Sequence, residues 1–122
     1  MECGPDFIEL IEYLENVKGF YGELRKEVTY CIYNTYKPLG WKIQYSPVSK
    51  MISLWARLPA ETTRLPKVIL DKYVRNVPTA TLELMYFDYK PYIIYTVNFE
   101  RDKHAFKNFL EDMVYIAEVG KW

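Results

Sequence analysis

His104 is the one histidine of the chain, and Cys3 and Cys31 are its only cysteines. These three side chains are one short of a closed tetrahedral zinc site, so no metal is assigned. A cysteine–histidine nucleophile would need the fold to carry His104 to one of the thiols, with a third group to orient the base. Nothing in the spacing supports that meeting, and His104 reads as a solvated residue in the first turn of a helix. The two thiols could form one bridge, but a domain of this length does not need it. Both are expected to be reduced, with Cys31 acting as a small core residue.

Asp88-Tyr89-Lys90 has the acid-x-lysine spacing of metal-dependent nucleases, where a carboxylate holds Mg²⁺ beside a lysine. Glu83 or Asp71 would then supply the second acid. The same residues lead into Pro91, and Asp with Pro marks a hairpin tip on conformational grounds alone, which is the simpler account. The five glycines, at 4, 19, 22, 40 and 120, are too scattered to cradle a phosphate. No catalytic residue and no cofactor is assigned, and the chain is expected not to be an enzyme.

The elements that would position any site follow from periodicity. Pro5 suits a first helical turn, and Phe7, Leu10, Ile11, Leu14 and Val17 recur at spacings of three and four up to a stop at Gly19. A second helix is expected from Phe20 to Tyr36 on the stripe Tyr21, Leu24, Val28, Cys31 and Thr35, closed by Pro38 and Gly40. From Trp41 the period becomes two. Trp41, Ile43 and Tyr45 alternate with polar residues, Ser46 to Lys50 supply a turn, and Ile52, Leu54, Ala56 and Leu58 form the return strand. Pro66 can open a short helix to Asn76. Ala80, Leu82, Leu84 and Tyr86 then share one strand face, Asp88 to Pro91 turn, and Tyr92 to Phe99 is an apolar strand. A last helix follows Asp102, its expected N-cap, with Phe106, Phe109, Leu110, Met113 and Ala117 as core and Gly120 beyond its end.

The expected fold is thus a single α+β domain over residues 1–122. It has one four-stranded antiparallel sheet made of two hairpins, packed by an N-terminal helix pair, a short middle helix and a C-terminal helix. If Ile52, Leu54, Ala56, Leu82, Leu84 and Tyr86 face the helices, the other face presents Trp55, Met85, Phe87, Tyr92 and Ile94 among Lys42, Gln44, Arg57, Thr81 and Thr96. Aromatics, Met and Arg are enriched in protein interfaces, so Trp55, Arg57, Met85, Phe87, Tyr92 and Ile94 are the candidate partner-binding residues. The alternative is that a helix crosses over and covers this face. Base stacking on the same aromatics, with Lys42 and Arg57 beside Trp55 and Tyr92, makes nucleic-acid binding the second reading.

Sixteen basic and sixteen acidic residues give no net charge, which argues against a dedicated phosphate-backbone binder. The balance hides segregation. Residues 1–17 hold Glu2, Asp6, Glu9, Glu12 and Glu15 and no base, while residues 57–75 hold Arg57, Arg64, Lys67, Lys72 and Arg75 against Glu61 and Asp71, a net of +3. Glu9, Glu12 and Glu15 on one side, and Arg64, Lys67 and Arg75 on the other, are candidate charged patches for subunit or partner pairing. The acidic start is unlike a signal peptide, and no apolar run approaches the ~20 residues of a membrane span, so an intracellular, cytoplasmic protein is expected. Gln44 is the only glutamine amid many Lys, Glu, Tyr and Ile residues, a bias of heat-adapted proteins that resembles small proteins of hyperthermophilic archaea and their viruses.

The order of helices and hairpins resembles that of the secretion-chaperone-like α+β folds. That resemblance implies dimerisation and binding of protein partners. The expected function is a small non-catalytic protein-interaction module, a homodimer with a further protein partner. A viral or mobile-element accessory protein that inhibits a host system by binding it is one concrete form.

Overall fold

Pro5 opens helix α1 (Pro5–Asn16), whose stripe Phe7, Leu10, Ile11 and Leu14 is buried. The backbone N–H groups of Val17 and Lys18 both donate to the Tyr13 carbonyl, and Gly19, at φ 74°, turns the chain out of the helix. The computed structural model describes residues 3–37, 40–60, 62, 64–65 and 67–119. Pro38, Pro66 and Gly120, expected at element ends, and the charged Glu2 and Glu61 lie outside the described residues.

The expected second helix is instead a β-hairpin, β1 (Tyr21–Lys26) and β2 (Cys31–Lys37). Cys31, Tyr33 and Thr35 are buried while Ile32 and Asn34 between them are half-buried, which is a period of two. The three-and-four spacing read from Tyr21 to Thr35 ran across a turn: Val28 lies in the tip, 82% exposed, where the Glu27 N–H donates to the Tyr30 carbonyl at 2.9 Å. Val28, Thr29, Ile32 and Thr35 are β-branched and stiff at χ1, and with Tyr30, Tyr33 and Tyr36 they favour the pleated strand over the helix. Gly22 is needed here, because a Cβ on it would clash with the Asn34 carbonyl oxygen where the β1–β2 register shifts.

The remaining strands follow the alternation. β3 (Lys42–Tyr45) and β4 (Met51–Arg57) form one hairpin, β5 (Thr81–Phe87) and β6 (Lys90–Asn98) another. The β5–β6 turn is Asp88-Tyr89, both in the left-handed region at φ 51° and 64°. β4 pairs with β6, so the sheet is antiparallel with order β1-β2-β3-β4-β6-β5. Among the described residues it has six strands where four were expected, because the first hairpin joins it, and one N-terminal helix replaces the helix pair. α2 (Lys67–Leu70) runs into a π-helical turn (Asp71–Arg75), and α3 (Lys103–Val119) closes the chain. Asp102 precedes α3 and its carbonyl accepts the Phe106 N–H, but its carboxylate does not cap the helix. It accepts instead from the backbone N–H and the hydroxyl of Thr79 on the approach to β5.

One face of the sheet carries the core. Ile43, Ile52, Leu54, Ala56, Ile93, Tyr95 and Val97 are sealed from solvent against Phe7, Phe106 and Phe109. Phe7 stacks on Tyr45 at 5.3 Å, and Phe109 on Tyr95 at 4.2 Å. Tyrosine hydroxyls then tie the layers together. Tyr33 of β2 donates to Glu15 of α1 at 2.9 Å, and Tyr95 of β6 to the Tyr73 carbonyl at 2.7 Å. Tyr73 donates to the Asn108 carbonyl and the Asp112 carboxylate of α3, and Tyr13 of α1 to Glu111 of α3. Each bond gives a phenol the partner it needs, and so fixes the height of one element over another.

Cys3 and Cys31 form a disulfide, with 5.7 Å between their Cα atoms. The expectation of two free thiols is corrected. The size of a core says whether a bridge is needed, but only the placement of α1 over the start of β2 says whether one can form. Closing a loop of 28 residues' separation is worth about 3.5 kcal/mol through the unfolded chain. The double variant Cys3→Ala/Cys31→Ala should therefore keep the fold by circular dichroism and lose about 3.5 kcal/mol in denaturant titration; an unchanged midpoint would refute this.

Burial raises the phenol of Tyr33 well above its ordinary value, with the Glu15 carboxylate adding to the effect, and burial raises Tyr95 as strongly. Tyr73 is pushed up to about 12 by burial and by Asp112. The folded chain thus keeps three protons that the unfolded chain releases near pH 10. Their stabilising effect is complete below pH 10 and is lost as pH rises towards 12 and beyond. Each contributes a slope of about 1.4 kcal/mol per pH unit. Tyrosinate absorbance for these residues should appear together with loss of near-ultraviolet circular dichroism, and not before it.

Candidate interaction face

The pairing registers place side chains on the second face in cross-strand rows. Lys42, Trp55, Ile94 and Glu83 form one row, Arg57, Tyr92 and Met85 the next, and Gln44, Ser53, Thr96 and Thr81 another. Phe87 stands opposite Lys90 at the hairpin end. The six candidate partner-binding residues, Trp55, Arg57, Met85, Phe87, Tyr92 and Ile94, thus share one face. Trp55, Tyr92 and Ile94 are half-buried, and Arg57, Met85 and Phe87 exposed. Among the described residues no helix crosses to this side, since α1, the π-helical turn and α3 all pack through Tyr45, Tyr95 and Phe99 on the other.

The aromatics form a connected cluster. Trp55 and Phe87 lie 6.2 Å apart with planes 28° from parallel, and Tyr92 meets Phe87 edge-on at 5.4 Å. The Lys42 ammonium sits 4.2 Å over the Trp55 ring, a contact worth about 0.5–2 kcal/mol. That cation occupies the ring face that a nucleobase would stack on. Beside the cluster runs a shallow groove of about 260 Å³, lined by Tyr30, Gln44, Ser53, Trp55, Ile94 and Thr96. An apolar centre with Trp, Tyr and Arg and a polar border is the make-up of a protein-binding hot spot.

The charged segments are less continuous in space than in sequence. Glu9 and Glu12 are exposed on α1, but Glu15 is engaged by Tyr33, and Asp6 pairs with Lys103 at 3.1 Å. In the basic stretch, Lys72 pairs with Asp112 at 3.0 Å and Arg75 with Asp71 at 3.2 Å. Arg64 and Lys67 are exposed and have no ion pair among the described residues, while Arg57 belongs to the sheet face.

The residues considered for catalysis do not converge. Asp88 sits at the hairpin tip, Glu83 lies five residues back along β5, roughly 16 Å away at strand spacing, and Asp71 is paired to Arg75. Both cysteines are in the disulfide and His104 is exposed. Among the described residues no three His, Cys, Asp or Glu side chains gather as metal ligands, and no helix is long and apolar enough to cross a membrane. Glu23 and Arg25, exposed or half-buried on the edge strand β1, fall in the segment 20–36 whose spacing mimics a helix. The alternation from Cys31 to Thr35 is the signal that marks the segment as a strand hairpin. Comparison with protein-family models, curated proteins and solved structures gives no match.

A face that no described helix covers should tolerate truncation. Trp55→Ala and Tyr92→Ala should each cost less than about 2 kcal/mol in denaturant unfolding, against about 3–5 for Phe109→Ala in the sealed layer. Equal losses at Trp55 and Phe109 would mean that the second face is core.

Proposed function

We propose that the chain is a non-catalytic protein-interaction module that works as a homodimer and takes a further protein partner on the second sheet face. The observation that carries this reading is the uncovered Trp55, Phe87 and Tyr92 cluster with Met85, Ile94 and Arg57 around it. Burying such a cluster removes apolar area from water, and its aromatic rings lose little conformational entropy on binding. Nucleic-acid binding is the second reading, favoured by Lys42, Arg57 and Lys90 on the same face and opposed by the lysine already seated on Trp55. A viral or mobile-element accessory protein that disables a host protein by occupying it is the concrete form that suits the composition. The same reading puts it in the cytoplasm of a heat-adapted host, where intracellular disulfides are ordinary.

Capture from native cell extract tests the reading when wild type is run beside Trp55→Glu/Tyr92→Glu and Glu9→Lys/Glu12→Lys. A protein retained by wild type and by the helix variant, and lost from the sheet variant, is the expected result. Retention by all three would remove the sheet face from the argument. Salt-dependent binding of single-stranded oligonucleotides by wild type, lost in the sheet variant, would replace the reading with the second one.

A further inference from the structure

β1 ends the sheet, so one side of its backbone has no strand beside it among the described residues. The Glu27–Tyr30 bond sets the alternation: Glu23 and Arg25 exchange hydrogen bonds with β2, while Gly22, Leu24 and Lys26 direct their N–H and C=O groups outward. We propose that two copies of this chain join by these free edges, antiparallel about a two-fold axis through Leu24. The inference rests on the homodimer proposed above and gives it an interface.

The charges on the strand select this arrangement. About Leu24, the two leucines face each other, Gly22 faces Lys26 of the second copy, and Glu23 faces Arg25 of the second copy, twice by symmetry. The leucine and Gly22–Lys26 positions are hydrogen-bonded pairs. The Glu23–Arg25 positions are the closer, non-hydrogen-bonded kind, with Cα atoms about 4.5 Å apart, so each carboxylate meets a guanidinium. Neighbouring registers fail. An axis at Glu23 sets glutamate against glutamate, and an axis at Arg25 sets arginine against arginine. Charges on an edge strand usually prevent pairing; here they oppose the two neighbouring registers and favour the one about Leu24.

Glu23 and Arg25 are exposed and have no ion pair among the described residues. Glu23 accepts only a long 3.4 Å hydrogen bond from the exposed Tyr36 hydroxyl. The opposite edge offers no such match, since β5 (TLELMYF) holds Glu83 and no basic residue, and pairing it about Leu84 would set that carboxylate against Met85. Joined at β1, the two six-stranded sheets become one, with both aromatic faces on the same side.

Size-exclusion chromatography with light scattering over a concentration series tests the proposal on the full chain. Wild type should be a dimer. Glu23→Arg alone and Arg25→Glu alone should each weaken it at least about tenfold, because like charges then face each other. The double exchange Glu23→Arg/Arg25→Glu should restore the dimer. Mixing the two single variants should give a heterodimer, since the first then carries two guanidinium groups on this strand and the second two carboxylates, and each cation meets an anion across the axis. A wild type that stays monomeric overturns the homodimer as well as this interface. A dimer that the single variants leave intact overturns this interface alone, as would single variants that dissociate but do not combine on mixing.

Discussion

Among the described residues the helices cover one face of the sheet, and the rest of the molecule follows from that sidedness. β4 and β6 contribute Ile52, Leu54, Ala56, Ile93, Tyr95 and Val97 to the side on which α1 and α3 lie, and all six are sealed from water. Strand geometry sends every second residue to the opposite side, so the same two strands must present Trp55, Arg57, Tyr92 and Ile94 where no described helix reaches. Those residues are not the Ser, Thr and Lys of a solvated sheet face. Among the described residues, the elements that cover the core leave the aromatic cluster open.

The excess of tyrosine has a structural use on the covered side. A core of Leu and Phe is held by shape alone and can tolerate small displacements between layers. A buried phenol has to find an acceptor, which is a directional requirement. Tyr33, Tyr73 and Tyr95 meet it by reaching across element boundaries, to Glu15, to α3 and to the backbone of the π-helical turn. The helices are thereby held in one position over the sheet. The turn at Asp71–Arg75 is the clearest case, since Tyr73 is at once an acceptor for β6 and a donor to α3.

Much of this fold was legible in the chain where periodicity was uninterrupted. α1, the hairpin of β3 and β4, the hairpin of β5 and β6, and the stripe of α3 all follow from spacing, and the assignment of Trp55, Met85, Phe87, Tyr92 and Ile94 to one face follows from the same alternation. Residues 20–36 were not legible as a hairpin because Leu24, Val28, Cys31 and Thr35 mimic helical spacing across a two-residue tip. Only the buried set Cys31, Tyr33, Thr35 separates the two patterns. The disulfide and the tyrosine bonds were beyond reach for another reason. They join residues that only the tertiary arrangement brings together, and nothing in local spacing encodes them. The role of Asp102 shows the limit in miniature: its position before α3 was readable, while its carboxylate answers to Thr79.

The β4–β6 ladder has a kinetic meaning as well. β1 with β2, β3 with β4 and β5 with β6 are hairpins between neighbours in the chain, each able to close within microseconds. Among the described residues, β4 with β6 is the one ladder whose partners are far apart in sequence, Trp55 facing Ile94, and it must bring the whole stretch from Leu58 to Ala80 round with it. The entropy of closing that loop is spent before the sealed layer repays it. Closing this seam is thus the most costly step of sheet assembly in chain entropy, and the edges of β4 and β6 are open to intermolecular pairing until it closes.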